Sequence, residues 1–96
     1  MPSYRVVLTI GALRGGIEPA SVLPTARDAA AELANVESWD IGIVSGMPRI
    51  TVRFTADTPG QARNVGRHVT STVAEIAEPL AVKVTERVKG RWYVVR

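Results

Sequence analysis

Residues 38–56 alternate apolar and polar side chains in two short runs, the pattern of a β-hairpin with one buried face. Turn-forming residues 45–48 separate the runs, and Pro48 favours a turn because it cannot donate a hydrogen bond to a central ladder. Keeping apolar residues opposite one another predicts the register of the hairpin. The predicted pairs are Ile43–Ile50, Ile41–Val52, Trp39–Phe54 and, on the outer face, Asp40–Arg53.

Periodic segments on both sides of this hairpin predict two helices and three further strands. Residues 4–10 alternate as a first strand, 80–85 as a fourth and 92–95 as a short fifth. A first helix lies within 19–36, with helical spacing clearest over 25–36; it begins either after Ser21 as N-cap or at Pro24 as the first helical residue. The second helix begins at a capping box with Thr58 as N-cap and Gln61 three residues later, and it is expected to end at Pro79.

The resulting order β-α-β-β-α-β, with a short extra C-terminal strand, resembles the ferredoxin-like α+β sandwich. The resemblance concerns the topology of the whole chain, residues 1–96, which we predict to form a single domain. It implies an antiparallel sheet of order 4-1-3-2 with both helices on one face. Unrelated functions share this fold, so the topology by itself predicts no activity.

The composition narrows the class of protein. The 96 residues are 46% apolar, enough for one core, and they include no cysteine, which excludes disulfides and thiolate metal sites. No apolar run approaches the length of a membrane span, and we predict a cytoplasmic protein. The net charge of +3 is concentrated in the basic segment 80–96, which either favours a polyanion or protects an exposed edge strand from aggregation.

Catalytic chemistry has little support in the sequence. His68, the only histidine, lies inside the second helix with no carboxylate or hydroxyl at an informative spacing, so we interpret it as a helix-surface residue. No nucleophile, phosphate-loop or dinucleotide motif occurs, and we predict no catalytic residue, metal site or cofactor. An enzyme of the dimeric ferredoxin-like barrel type is the alternative.

The sharpest predicted site is for a small anion. Arg14, Gly15 and Gly16 precede the first helix, and Arg49 follows the hairpin turn. On the expected topology both arginines come to the same end as the free N–H groups of that helix, where a phosphate or carboxylate would be held.

Nucleic acid is a less favoured ligand. The expected sheet invites comparison with the RNA-recognition motif, which stacks bases on aromatic residues of its open face. Here Tyr4 and Phe54 fall on the inward set, and only Trp92 and Tyr93 place aromatic rings beside positive charge.

Self-association is the favoured function. Val7, Val44, Trp92 and Tyr93 are expected to give the open face of the sheet an apolar component, which a second copy would cover either by face packing or by edge pairing. The sequence therefore predicts a non-catalytic binding or assembly module, homodimeric through its sheet. Whether the last strand pairs within its own chain or with a partner is left open.

Overall fold

The computed structural model describes residues 1–96 as an antiparallel sheet with two α-helices on one face. The sheet order is β2-β3-β1-β4-β5, which confirms the order expected for a ferredoxin-like sandwich with an added terminal strand. The elements are β1 (Ser3–Leu13), α1 (Val22–Leu33), β2 (Asn35–Val44), β3 (Met47–Thr55), α2 (Pro59–Val73), β4 (Ala77–Val88) and β5 (Arg91–Val94), with a 3-10 turn (Pro19–Ser21) before α1.

The core lies between the helices and the central strands β1 and β3. Every second residue of these strands is buried, as expected for strands with one face under a helical layer. Valine and alanine supply the helical side, so the helices approach the sheet closely. The largest fully buried side chains are Tyr4, Phe54, Leu8, Ile50, Val6, Val52, Val69 and Val73.

Helix α1 begins at the earlier of its two expected starts, with Pro24 accommodated in the first turn. The helix ends at Leu33, three residues before the predicted end, because Ala34 is extended with φ −151°. Val36 therefore belongs to β2, where it pairs with Phe54.

Helix α2 has the predicted Thr58 cap, with the reciprocal bond from Gln61 reaching one residue further back than in a standard capping box. The side chain of Thr58 accepts a hydrogen bond from the N–H of Gln61 at 3.1 Å, and the Gln61 side chain accepts one from the N–H of Asp57 at 3.0 Å. A Cβ added at Gly66 would come within 2.7 Å of Val84, so glycine permits the close approach of α2 to β4. The helix ends at Val73, and the prediction that it continues to Pro79 was wrong.

The β2–β3 hairpin has a different register from the predicted one. Its turn consists of Ser45 and Gly46 alone, both with positive φ (53° and 78°), so Val44 pairs with Met47. Pro48, expected in the turn, lies in β3; the strand tolerates it because β1 pairs with β3 only as far as Arg49. The observed pairs include Ile43–Pro48, Ile41–Ile50 and Trp39–Val52.

This shift also changes the outer face of the hairpin. Asp40 lies opposite Thr51 rather than Arg53. A bulge between Val36 and Ser38 turns the intervening Glu37 toward Arg53, and their side chains form an ion pair of 3.3 Å. The predicted pairing of Asp40 with Arg53 was therefore wrong, although Arg53 does have a carboxylate partner.

Strand β5 pairs with β4 of the same chain, through a turn in which Lys89 and Gly90 have positive φ (50° and 81°). The pairing covers only Thr85–Val88, so the first half of β4 is a free edge. Val82 pairs with the buried Leu8 and so lies on the helix side of β4, but it is 48% exposed there.

No helix of the structure is long and apolar enough to cross a membrane.

Candidate functional site

Most of the charged side chains on the sheet face opposite the helices are basic. The register pairs Arg5 with Arg53 and with Thr85, Val7 with Lys83, and Thr9 with Arg49, so these residues share the outward face. We call this surface the cationic face. Its basic residues are Arg5, Arg49, Arg53, Lys83 and Arg87.

Trp92 of β5 lies among these arginines. The guanidinium carbon of Arg5 is 3.9 Å from the centre of the Trp92 ring, and that of Arg53 is 5.4 Å from it. Contacts of this kind are cation–π interactions, each contributing about 0.5–1 kcal/mol at exposed sites. Arg53 also contacts the hydroxyl of Ser3 and the carboxylate of Glu37, whereas Arg5 makes no hydrogen bond or ion pair.

The electrostatic environment of Arg5 is unfavourable for a cation. Partial burial lowers the pKa of its guanidinium, and the nearby charges of Arg53 and Arg87 lower the pKa further. Like charges directly opposite one another on neighbouring strands destabilise a sheet. The packing of the fold does not require this arrangement, because the three side chains point away from the core.

A shallow cavity of about 190 Å³ lies further along the same face. Arg49 and Lys83 flank it, and Val7 and Thr9 are among the residues that line it. Arg49 and Lys83, together with the arginines at Trp92, spread positive charge over the three neighbouring strands β3, β1 and β4.

The residues predicted to form an apolar interface are divided between surfaces. Val7, Val44 and Trp92 lie on the cationic face, but cations separate them. Tyr93 pairs with Glu86 and so lies on the helix side of the sheet, where its side chain is 52% exposed.

The residues of the predicted anion site have separate surroundings. The Arg14 guanidinium donates to the carbonyl of Ala74 at 3.0 and 3.3 Å, which caps the C-terminal end of α2. Gly15 and Gly16 turn the chain, Gly16 with φ 79°. Arg49 lies on the cationic face, and no contact or cavity joins it to Arg14. The pair remains a prediction from the sequence.

The outer edge of β2 is an exposed apolar surface. Trp39, Ile41 and Ile43 lie on the helix side of the strand but beyond the helices, with 47%, 45% and 69% of their surfaces exposed. Arg27 covers Trp39 in part, with its guanidinium carbon 5.2 Å from the ring centre. The N–H of Ile41 donates to the carboxylate of Asp40 at 2.8 Å. The hydrophobic pattern of the sequence predicted these side chains to be buried, because it does not show how far the helices extend.

A larger groove of about 610 Å³ lies between α2 and the free half of β4. Gly66, Val82 and Val84 contribute to its apolar lining, and Arg63 and Arg67 border it. Arg63 is already engaged, because it donates to the backbone oxygen of Arg96 at 2.9 Å.

His68 connects the two helices at their surface. Its Nε2 atom is 3.0 Å from a carboxylate oxygen of Glu32. No group of three or more histidine, aspartate or glutamate side chains is arranged to hold a metal ion.

The buried hydroxyl of Tyr4 predicts a loss of stability in alkali. Burial raises the pKa of Tyr4, and so do its hydrogen bond to Glu86, of 3.2 Å, and the charge of that carboxylate. Above about pH 10 the unfolded chain loses the phenolic proton while the folded chain keeps it, so the free energy of unfolding falls as pH rises. Urea unfolding of Tyr4→Phe should lack this alkaline decline, whereas Tyr93→Phe should retain it; equal declines in both variants would contradict the assignment.

Comparison with known proteins supports the fold. No family model matches the chain, and no curated protein sequence matches it. Among solved structures, the chain is similar to the crystal structure of a protein described as a candidate chlorite dismutase, with a TM-score of 0.52 and 13% identity. The likeness covers 90% of this chain and 44% of that one, so this chain spans less than half the length of the other. At this identity the likeness shows a ferredoxin-like α+β fold alone.

Proposed function

We propose that the chain is a non-catalytic assembly module that pairs with a second copy of itself through the free edge of β2. The observation that carries the proposal is the exposure of this strand: nine of its ten residues are exposed, and Val36 is half-buried. Long, exposed, hydrophobic edge strands are templates for pairing with another chain. The edge is unpaired along its whole length, since β2 is the first strand of the sheet.

The hydrogen-bonding direction of β2 supports edge pairing. Val44 and Met47 flank the turn of Ser45 and Gly46, and residues in that position of a hairpin form a hydrogen-bonded pair. Alternation along the strand then directs the backbone groups of Ile41 and Ile43 away from β3, toward the free edge. The hydrogen bond from the N–H of Ile41 to its neighbour's carboxylate agrees with this direction.

A second copy suits this edge because the strand is complementary to itself. Antiparallel pairing about a two-fold axis at Ile41 would set Ile43 opposite Trp39 of the partner, with both apolar rows on the helix side. Exposed apolar surface on each copy would thus be covered by the same surface on the other. The pairing would also satisfy the unpaired backbone groups of the edge.

Face-to-face packing of two sheets is less favourable. A two-fold axis through the cationic face would bring Arg5 and Arg53 of one copy close to the same residues of the other, and removing such charges from water without partners is costly. The edge of β2 avoids this repulsion.

The test is the oligomeric state of the purified chain, by sedimentation equilibrium at micromolar concentrations. We expect the wild type to be dimeric and Ile41→Pro to be monomeric, because proline removes the outward N–H while leaving the bonds to β3 in place. Asp40→Ala is the matched control: it releases the N–H of Ile41 and should preserve or strengthen the dimer. Circular dichroism verifies that each variant is folded, and Ile43→Lys replaces Ile41→Pro if the proline variant unfolds. A monomeric wild type, or a folded Ile41→Pro that remains dimeric, would contradict the proposal.

A further inference from the structure

The cationic face holds more positive charge than its own carboxylates neutralise. Glu37 is paired with Arg53, and the carboxylate of Asp40 accepts the N–H of Ile41. The remaining basic side chains of the face take part in no ion pair or side-chain hydrogen bond, so their donors are free for a ligand. These side chains are Arg5, Arg49, Lys83 and Arg87.

From this surface we infer a second function: the cationic face binds nucleic acid through its phosphate backbone. Arg5, Arg53 and Arg87 repel one another and lower the stability of the sheet, and the phosphates of a bound strand would turn this repulsion into attraction. The inference is independent of the proposed dimer, because it uses the outward face rather than the edge of β2.

Arg5 is held in an orientation suited to phosphate. Its guanidinium lies 3.9 Å from the centre of the Trp92 ring, and this contact restricts the side chain before any ligand arrives. A guanidinium offers several N–H donors in a fixed plane, which match two phosphate oxygens at once. Restricting the side chain in advance reduces the entropy that binding would otherwise cost.

The spacing of the cations favours an extended polyanion over a single phosphate. Arg49 and Arg53 are four residues apart on β3, and Lys83 and Arg87 are four residues apart on β4, which corresponds to about 13 Å along each strand. β1, with Arg5, lies between these two strands. Positive charge therefore extends along the sheet over a distance that a single phosphate could not cover but a chain of phosphates would.

The outward residues of the cationic face also indicate which part of a nucleic acid they would contact. Trp92 is engaged with arginine, and no other aromatic ring lies outward on the central strands, so bases have no stacking platform. Contacts to phosphate carry no sequence information. We therefore expect binding with little sequence preference and with strong dependence on salt.

The experiment measures fluorescence anisotropy of a labelled oligothymidylate titrated with the full chain at low salt. Arg5→Gln/Lys83→Gln should weaken binding about tenfold or more and reduce the slope of log affinity against log salt by about 1 to 2. The matched control is Arg63→Gln/Arg67→Gln on α2, which removes the same net charge from another surface. It should change the affinity less than about threefold.

Several results would overturn the inference. One is equal weakening in both double variants, since binding would then depend on net charge alone. Absence of binding at low salt, or affinity insensitive to salt, would each do the same. Ile41→Pro should bind the oligonucleotide through its unaltered cationic face, so failure of the proposed dimer and failure of nucleic-acid binding are distinguishable.

Discussion

Phe54→Ala is expected to lower the free energy of unfolding by about 3–5 kcal/mol, a large part of the total for a domain of this size. Phe54 is 0% exposed on the interior strand β3 and stacks on Tyr4 with ring centroids 6.0 Å apart. Alanine would remove this contact and leave a cavity that the surrounding strands, paired on both sides, could not close. Guanidinium unfolding followed by circular dichroism measures the loss.

Leu33→Ala is the control for this substitution. Leu33 is the last residue of α1 and is 55% exposed, so its truncation should change the stability by no more than about 0.5 kcal/mol. If Phe54→Ala were no more destabilising than Leu33→Ala, the assignment of the core to the helix-covered face of the sheet would be wrong.

Ala30→Leu is expected to be the next most damaging change, lowering the free energy of unfolding by about 1–3 kcal/mol. Ala30 is 0% exposed, on the buried face of α1. A leucine there would push α1 away from the core or force strained rotamers. The loss would come from overpacking, since leucine and alanine both favour helix.

Ala31→Leu is the control, because it makes the same substitution at a position where the larger side chain meets no packed neighbour. Ala31 is the next residue of the same helix and is exposed, so leucine at this position should be nearly neutral. Equal effects of the two variants in the same unfolding assay would show that helix propensity, rather than close packing against the sheet, governs the response of α1.

Local patterns in the sequence were sufficient for the order of the elements and for much of the core. Alternation made Tyr4 and Phe54 inward residues, and the capping box placed the start of α2 at Thr58, because both signals depend on neighbours within a few residues. The register of the β2–β3 hairpin was not predictable in the same way. Its turn requires positive φ at Ser45 as well as Gly46, and the sequence offered Pro48 as a competing turn residue.

The functional surfaces depended more strongly on tertiary structure. The outward positions of Arg5 and Arg53 are visible in the alternation of their strands, but their position opposite each other and beside Trp92 arises only when β1 pairs with β3 and β5 folds back on β4. Periodicity assigned Ile41 and Ile43 to the buried face, and the structure leaves both exposed.

The sequence by itself determined which residues share a strand face, because backbone geometry sets side-chain direction over a few residues, and it determined where α2 begins. Only the tertiary structure decided which of those faces are covered. The two helices are narrower than the five-stranded sheet and cover only part of it. No local pattern in the sequence records how far they extend. The free edge of β2 and the cationic face, on which both proposals rest, follow from this difference.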